Sequence, residues 1–351
     1  MAKTASETTI QQWSTPHWSG SRLHWLEIPA VRVRHNAKTS GDPDVDWVTY
    51  TVRTHLTGRL PLQHCLSLGC GEGWLERRLA SLGVFLACDA YDLAPAILDE
   101  ARRRAAEQGY HHIHYQAADV NTLEMPAEKY DVVWINGAMH HFEQLDWVCT
   151  QVTRCLKPGG LLVLREYVGP SRFQFGDRQK QLIRCAFALL PARYRLPVSA
   201  QPAAISSATA LRRGWPWYVR RMRDKMLDGD LLPAVRRRWA RHQIAHSAGQ
   251  MPMNEIIFPT ARDINAADPS EAIRSADIQD VVARHFRIIE QKDLGGALLH
   301  FLFEGIAGNF INDKPETSSW LDLLFAIEDT LMASGELGSD FVYLVASRSA
   351  S

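Results

Sequence analysis

An apolar run that breaks into three alternate glycines constrains this chain more than any other stretch: Leu66 to Gly73 reads Leu-Ser-Leu-Gly-Cys-Gly-Glu-Gly. Glycines directly after a strand let the backbone turn sharply, and with no Cβ in the way a ligand can approach main-chain atoms. The following residues, Trp74 to Ser81, set Leu75 and Leu79 four apart on one face, which predicts a helix whose N-terminus points at whatever sits in the loop. A strand, glycine loop and helix in that order point to a nucleotide-like ligand. A tight turn without a ligand is the competing account of the glycines alone.

Position 74 narrows the choice. A dinucleotide fingerprint of the form G-x-G-x-x-G needs a glycine there for close helix packing around a pyrophosphate, and this chain has Trp74, which disfavours a dehydrogenase. Further elements follow in a regular order. An apolar run through Val84, Phe85 and Leu86 leads to Asp89 and Asp92, and Asp92 opens a helix-start phrase with Leu93, Ala94 and Pro95. A third strand, Ile113 to Ala117, ends at Asp119 and Val120, and a fourth, Tyr130 to Ile135, opens into Asn136-Gly-Ala-Met-His140-His141-Phe142. Leu156-Lys-Pro-Gly-Gly-Leu-Leu-Val-Leu164 then reads as a helix end, a turn and a fifth strand. Phe286 to Glu290 and Phe341 to Ala346 supply two more.

The G-x-G-x-G spacing and this order of strands resemble the class I S-adenosylmethionine-dependent methyltransferases, over roughly Gln63 to Tyr167, with a core similar to that of ubiquinone-biosynthesis enzymes. The resemblance implies an α/β, doubly wound, Rossmann-like sheet of seven strands and S-adenosylmethionine as cofactor. It implies cofactor contacts at Leu68, Gly69, Cys70, Gly71, Gly73, Asp92, Leu93, Asp119, Val120 and Asn136. Asp92 stands about twenty residues past the glycines, where the family chelates the ribose hydroxyls with a carboxylate, a group that accepts two hydrogen bonds at once. Asp89 is the competitor for that role. Asp119 matches the position that accepts the adenine amine, with a turn cap on Asn121 as the alternative reading.

With 351 residues, 46% of them hydrophobic, the chain can bury one sizeable core with insertions. The expected division is an N-terminal helical extension or lid (1–60), the cofactor-binding core (61–168), a helical substrate cover inserted between the fifth and sixth strands (169–284) and the rest of the sheet (285–351). A formal charge of zero gives no global attraction to nucleic acid or to an anionic membrane. The N-terminal residues lack an apolar export core and no run approaches the ~18 apolar residues of a membrane span, so a cytoplasmic protein is expected. Six cysteines without C-x-x-C spacing read as reduced and buried, and no metal ion is expected.

Two regions outside the core bear on the acceptor. Trp13, Trp18, Trp25 and Trp47 lie among basic residues near the N-terminus, and read either as a lid over the cofactor or as a satellite core. In the insert, Leu182, Cys185, Phe187 and Leu189 suggest a helix, and residues 211–241 mix arginines with tryptophans, which reads as a solvated helical face or as a contact for RNA, a phosphorylated glycan carrier or a membrane surface. The stretch from Pro197 to Ala210 reads as a linker, and Asp268-Pro-Ser-Glu271 as a capped helix start that directs Arg274 toward the pocket.

Methyl transfer to a hydroxyl requires loss of a proton. His140 and His141, after the fourth strand, and Glu166, after the fifth, are the candidate bases, with a wall-lining role as the alternative for the histidines. His300 is a weaker candidate on an apolar face. Asn136-Gly-Ala-Met139 differs from the Asn-Pro-Pro-aromatic loop of DNA-base methyltransferases, and Tyr167, Phe173 and Phe175 suit a ring-shaped small molecule or a sugar. A small-molecule or glycan acceptor is therefore expected. An RNA or protein acceptor and a non-catalytic scaffold are the alternatives, and the oligomeric state is not legible.

Overall fold

The computed structural model describes Thr9, residues 23–197 and residues 251–348. Trp13, Trp18, nearly all of the expected linker and the basic run from Arg212 to Arg241 lie outside the described residues. Helices α1 (Pro29–Ser40) and α2 (Trp47–His55) precede the sheet. The chain then runs through β1 (Leu62–Leu68), α3 (Trp74–Ser81), β2 (Phe85–Asp92), α4 (Pro95–Glu107), β3 (Ile113–Ala117), β4 (Tyr130–Asn136), α5 (Leu145–Cys155) and β5 (Leu156–Tyr167). After α6 (Asp177–Leu189), α7 (Ala261–Ala267) and α8 (Ile278–His285) come β6 (Phe286–Gly295), the short α9 (Leu299–Leu302), α10 (Pro315–Ala333) and β7 (Phe341–Arg348).

The seven strands form one sheet in the order β3-β2-β1-β4-β5-β7-β6, parallel except for β7, which runs antiparallel to both neighbours. The direction of strand order reverses between β1 and β4, and open α/β sheets hold ligands in the crevice outside the carboxyl ends at such a point. Alternation along the strands sends their side chains to two cores. On one face Val133, Leu162 and Leu344 pack with Cys149 and Val152 of α5 and Val282 of α8. On the other, Cys65, Trp134 and Tyr343 pack with Trp47 of α2, Leu75 and Leu79 of α3 and Leu98 of α4. Trp25 is buried with Ile28, Val31, Phe187, Leu298 and Phe310 in a third cluster. Trp25 and Trp47 are therefore core residues that fasten the N-terminal helices to the body of the protein.

One buried carboxylate ties three of these elements together. Glu328 of α10 accepts the backbone amides of Gly296, Leu298 and Leu299 at 3.0, 3.0 and 3.1 Å and the Arg34 guanidinium of α1 at 2.7 Å. The approach is so close that a Cβ on Gly295 would strike the Glu328 carboxylate, and its φ of +86° is one that L side chains rarely adopt.

The insert departs from the sequence reading at Asp268. The capping box belongs to Thr260 and Asp263, which start α7, and Asp268 ends that helix. Asp268 Oδ1 accepts the Ser270 amide at 2.8 Å and the Ser270 hydroxyl at 2.7 Å, a local side-chain turn that competes with helix formation. Arg274 does not reach the pocket: it donates to Asp277 at 2.8 Å and to the Glu143 carbonyl at 3.2 Å on the surface. In α6, Ile183, Ala186 and Phe187 turn inward while Leu189 and Cys185 face solvent. Cys65, Cys88, Cys149 and Cys155 are buried thiols, and Cys70 is partly exposed.

Replacing Glu328 by Ala leaves three buried amides without a partner and takes from the buried Arg34 guanidinium one of its two carboxylates. This is expected to cost about 3 to 5 kcal/mol in urea unfolding, whereas Asp329→Ala, which removes the half-exposed partner of the same arginine, should cost at most about 1 kcal/mol. Equal losses in the two variants would refute this account of the junction.

Candidate active site

The glycine loop is held open by the strand beside it. The Tyr91 carbonyl at the end of β2 accepts the amides of both Gly69 and Cys70, at 2.8 and 3.0 Å, and Gly73 closes the turn onto the Cys70 carbonyl at 3.0 Å. Gly73 caps α3 in the left-handed conformation with no side-chain cap, and a Cβ there would collide with the Tyr115 hydroxyl. The loop borders a cavity of about 730 Å³ at the carboxyl ends of β1, β2, β3 and β4, a size in the range of cofactor sites.

Of the cofactor residues expected from the sequence, Gly69, Cys70, Gly71, Asp92, Leu93, Asp119, Val120 and Asn136 line this cavity. Leu68 and Gly73 do not: Leu68 is buried beneath the loop, and Gly73 is turned against Tyr115. Asp92 Oδ2 accepts the Gly71 amide at 2.9 Å and Oδ1 accepts the Ala94 amide at 3.0 Å, with the Leu93 amide also directed at this carboxylate, which keeps acceptor capacity for a ligand. Burial raises its carboxyl above the usual range against these amides. Asp89 faces away, bound to Lys129 Nζ at 2.6 Å and the Tyr130 hydroxyl at 2.8 Å. Asp119 caps the turn, accepting from the Asn121 amide and side chain at 2.9 Å each, and also lines the cavity.

Trp74 and Glu76 are among the lining residues that the sequence did not lead one to expect. Trp74 is half exposed (49%) at the cavity, not packed in the helix interface. Glu76, in the first turn of α3, is fully buried, bonds the Ser67 hydroxyl through Oε1 and has no partner for Oε2. Burial pushes its carboxyl up to about 7. A glutamate in a first helical turn ordinarily signals only a favourable dipole contact at the surface, so sequence alone offered no sign of this inward carboxylate.

A cationic, nucleoside-bearing cofactor fits these surroundings. Glu76 Oε2 is a buried acceptor awaiting a positive group, Asp92 presents acceptor pairs to hydroxyls, and Leu93, Ile97 and Val120 give an apolar wall.

Beyond β4 the loop is pinned by Glu166. This carboxylate has no exposure; Oε2 accepts the amides of Ala138 and Met139 at 2.9 and 2.6 Å, and Oε1 accepts the Tyr167 amide at 2.7 Å and meets His140 Nδ1 at 2.5 Å. Its lone pairs are all engaged, so it orients His140 and does not reach the cavity. The turn after α7 closes over the histidines, with the Ile273 amide on the His140 carbonyl at 3.0 Å and Ser270 Oγ on His141 Nδ1 at 3.0 Å. Of the two histidines, His141 lines the cavity. Burial lowers the pKa of His140, but the Glu166 charge and hydrogen bond outweigh it, with Glu271 adding, and hold it at about 9. Burial, then the neighbouring His140, keeps His141 well below its usual value. Thr9 also lines the cavity and donates to Asp268 at 3.1 Å, which brings the N-terminal segment to this wall. His300 is a core residue among Trp25, Tyr167, Phe173 and Phe341, with ring centroids 5.2 to 5.8 Å away.

Residues 65–160 match the family described as "Methyltransferase domain". This chain carries a class I S-adenosylmethionine-dependent methyltransferase domain. An uncharacterized methyltransferase of Mycobacterium tuberculosis is 33% identical over 118 residues, covering 33% of this chain and 57% of the relative. Malonyl-(acyl-carrier protein) O-methyltransferase of Enterobacter lignolyticus is 33% identical over 30% of this chain and 41% of its own. The 27-O-demethylrifamycin SV methyltransferase of Amycolatopsis mediterranei is 30% identical over 34% and 45%. The chain thus spans about half the length of these curated relatives. Among solved structures, an S-adenosylmethionine-dependent methyltransferase from Mesorhizobium loti is 17% identical, covering 82% of this chain and 91% of its own, with a TM-score of 0.40.

If the domain's Asp92 holds ribose hydroxyls, Asp92→Ala should weaken S-adenosylhomocysteine binding by about 1 to 3 kcal/mol in calorimetric titration. Asp89→Asn should leave that affinity in place and act on stability. Burial alone would raise the Asp89 carboxyl, but Lys129 and Tyr130 outweigh it and hold it below the usual range. A depressed folded pKa gives stability that is present above the unfolded value, about 3.9, and is lost as pH falls through the folded one. Asp89→Asn should flatten that acid-side loss, and an unchanged acid limb would contradict the ion pair's role.

Proposed function

We propose that this chain transfers a methyl group from S-adenosylmethionine to a hydroxyl oxygen of a small-molecule or glycan acceptor. The observation that carries the reading is a single cavity that joins the glycine loop, Asp92 and the unpaired Glu76 at one end to His141 at the other. The cofactor supplies a methyl carbon made electrophilic by its sulfonium. Asp92, Asp119 and the Gly69 to Gly71 backbone are the groups that would hold its nucleoside end, and Glu76 its positive charge.

Displacement at a methyl carbon is accelerated chiefly by alignment of the two reactants, an effect of up to about 7 to 11 kcal/mol. The loop that carries His140 and His141 serves that alignment, because four hydrogen bonds to Glu166 leave it little freedom. An acceptor hydroxyl must also lose its proton, and His141, which lines the cavity, is the group placed to bring this about. Glu166 acts through His140 as a positioning residue. The relatives named as O-methyltransferases favour an oxygen acceptor; Tyr167 and Phe173, expected from the sequence to suit a ring, instead pack against each other and His300 and do not line the cavity.

Thermal unfolding with S-adenosylhomocysteine tests the cofactor half: at a hundredfold excess over Kd a native-state ligand adds about 2.7 kcal/mol. No rise in Tm at saturation would end the reading. For the acceptor half, turnover on a panel of hydroxylated small molecules and glycans should fall by about 10²- to 10⁴-fold in His141→Ala while S-adenosylhomocysteine affinity is unchanged. Full activity in His140→Ala and His141→Ala alike would leave alignment as the whole mechanism.

A further inference from the structure

His140, His141 and Glu271 converge from two loops that are separated by 130 residues of sequence, and one ligand atom from each lies within 4.8 Å of the others. His140 Nε2 stands 3.6 Å from Glu271 Oε1. That is too long for a hydrogen bond. It is close to the edge of a coordination polyhedron, since two ligands at about 2.0 to 2.2 Å from a tetrahedral cation are about 3.4 Å apart. The Glu271 carboxylate accepts no hydrogen bond from a described residue, and the nearby Arg172 guanidinium goes to the Glu271 carbonyl at 3.0 Å.

The surroundings of both imidazoles have the form that metal-ligating histidines require. A ligating ring gives its other nitrogen to a carboxylate or its relay, which fixes the tautomer and orientation. His140 Nδ1 meets Glu166, and His141 Nδ1 meets Ser270 Oγ, whose own hydroxyl donates to Asp268 at 2.7 Å. Each ring therefore has its Nδ1 tied to a carboxylate, directly or through one hydroxyl. An arrangement with two imidazoles, one carboxylate and open positions is that of a catalytic cation, and imidazole ligands select Zn²⁺ and its first-row neighbours over Mg²⁺.

We propose that His140, His141 and Glu271 bind a divalent transition cation beside the acceptor end of the cavity, at the wall that His141 lines. The cation's role rests on the methyltransferase reading: it receives the acceptor hydroxyl on an open position and lowers the pKa of that proton, which leaves to solvent, so that the imidazoles act through the ion and not as bases themselves. The acceptor class this selects is a molecule whose hydroxyl can serve as a ligand, above all one with a second oxygen beside it.

The binding is tested without any acceptor. The full chain, stripped with a chelator and desalted, is titrated calorimetrically with Zn²⁺ and with Mg²⁺, and Co²⁺ is added to read the visible spectrum of the site. One Zn²⁺ per chain, at least tenfold preference over Mg²⁺ and a cobalt band are expected, all lost in Glu271→Gln and His140→Ala. Glu166→Gln, which disturbs the group behind His140 and the loop amides that Glu166 also holds, should lower Zn²⁺ affinity about 10- to 100-fold. Retained melting shift with S-adenosylhomocysteine shows that each variant is folded. Absence of a stoichiometric site in the wild-type chain, or equal Zn²⁺ affinity in Glu271→Gln and the wild type, would overturn the proposal. A wild-type chain that binds Zn²⁺ but not S-adenosylhomocysteine would instead sink the methyltransferase reading and leave the cation site standing.

Discussion

The carboxylate of Glu166 is the contact on which the working edge of this protein depends. It sits at the end of β5 with no exposure, and four donors from two adjacent strand ends converge on it. A buried charge is tolerated only when its lone pairs are filled, and breaking such a set costs several kcal/mol. The loop after β4 therefore has one conformation open to it, and that conformation sets His140 and His141 beside the cavity. The β4–β5 pairing that brings Asn136 opposite Arg165 places this charge within reach of the loop.

The same logic recurs at Glu328, where one carboxylate satisfies three amides and an arginine. In both places a charge gathers backbone donors at the point where a strand gives way to a loop, and in both the partners are distant in sequence. These two sites differ in consequence. Glu328 joins the N-terminal helices to the C-terminal ones, away from the cavity, whereas Glu166 transmits its rigidity to groups that border it.

What the sequence made legible was local. The glycine loop, Asp92 and Asp119 each lie within a strand end and the turn after it, and that they would border one cavity could be expected from spacing. The choice of Asp92 over Asp89 follows in the structure from alternation: adjacent odd and even positions of β2 point to opposite faces, and Asp89 pairs with Lys129. What was not legible depended on partners far along the chain. Glu76 reads as a surface helix residue until Ser67 and the cavity are placed around it. Asp268 reads as a helix start because its side chain caps a backbone amide in either setting, and only the fold decides that the amide belongs to a turn.

The turn from Asp268 to Ile273 shows why the insert cannot be treated as a cover alone. Its Ser270 orients His141, its Ile273 amide holds the His140 carbonyl, and Thr9 from the N-terminal segment reaches Asp268 from the other side. A segment that merely excluded water would contribute apolar surface and loose contacts. This one contributes a hydrogen bond to the His141 side chain and another to the His140 backbone carbonyl, so the insert and the strand-end loop form one unit. A substitution at Ser270 then acts on the cavity twice over, because this residue both lines the cavity and holds the Nδ1 of His141.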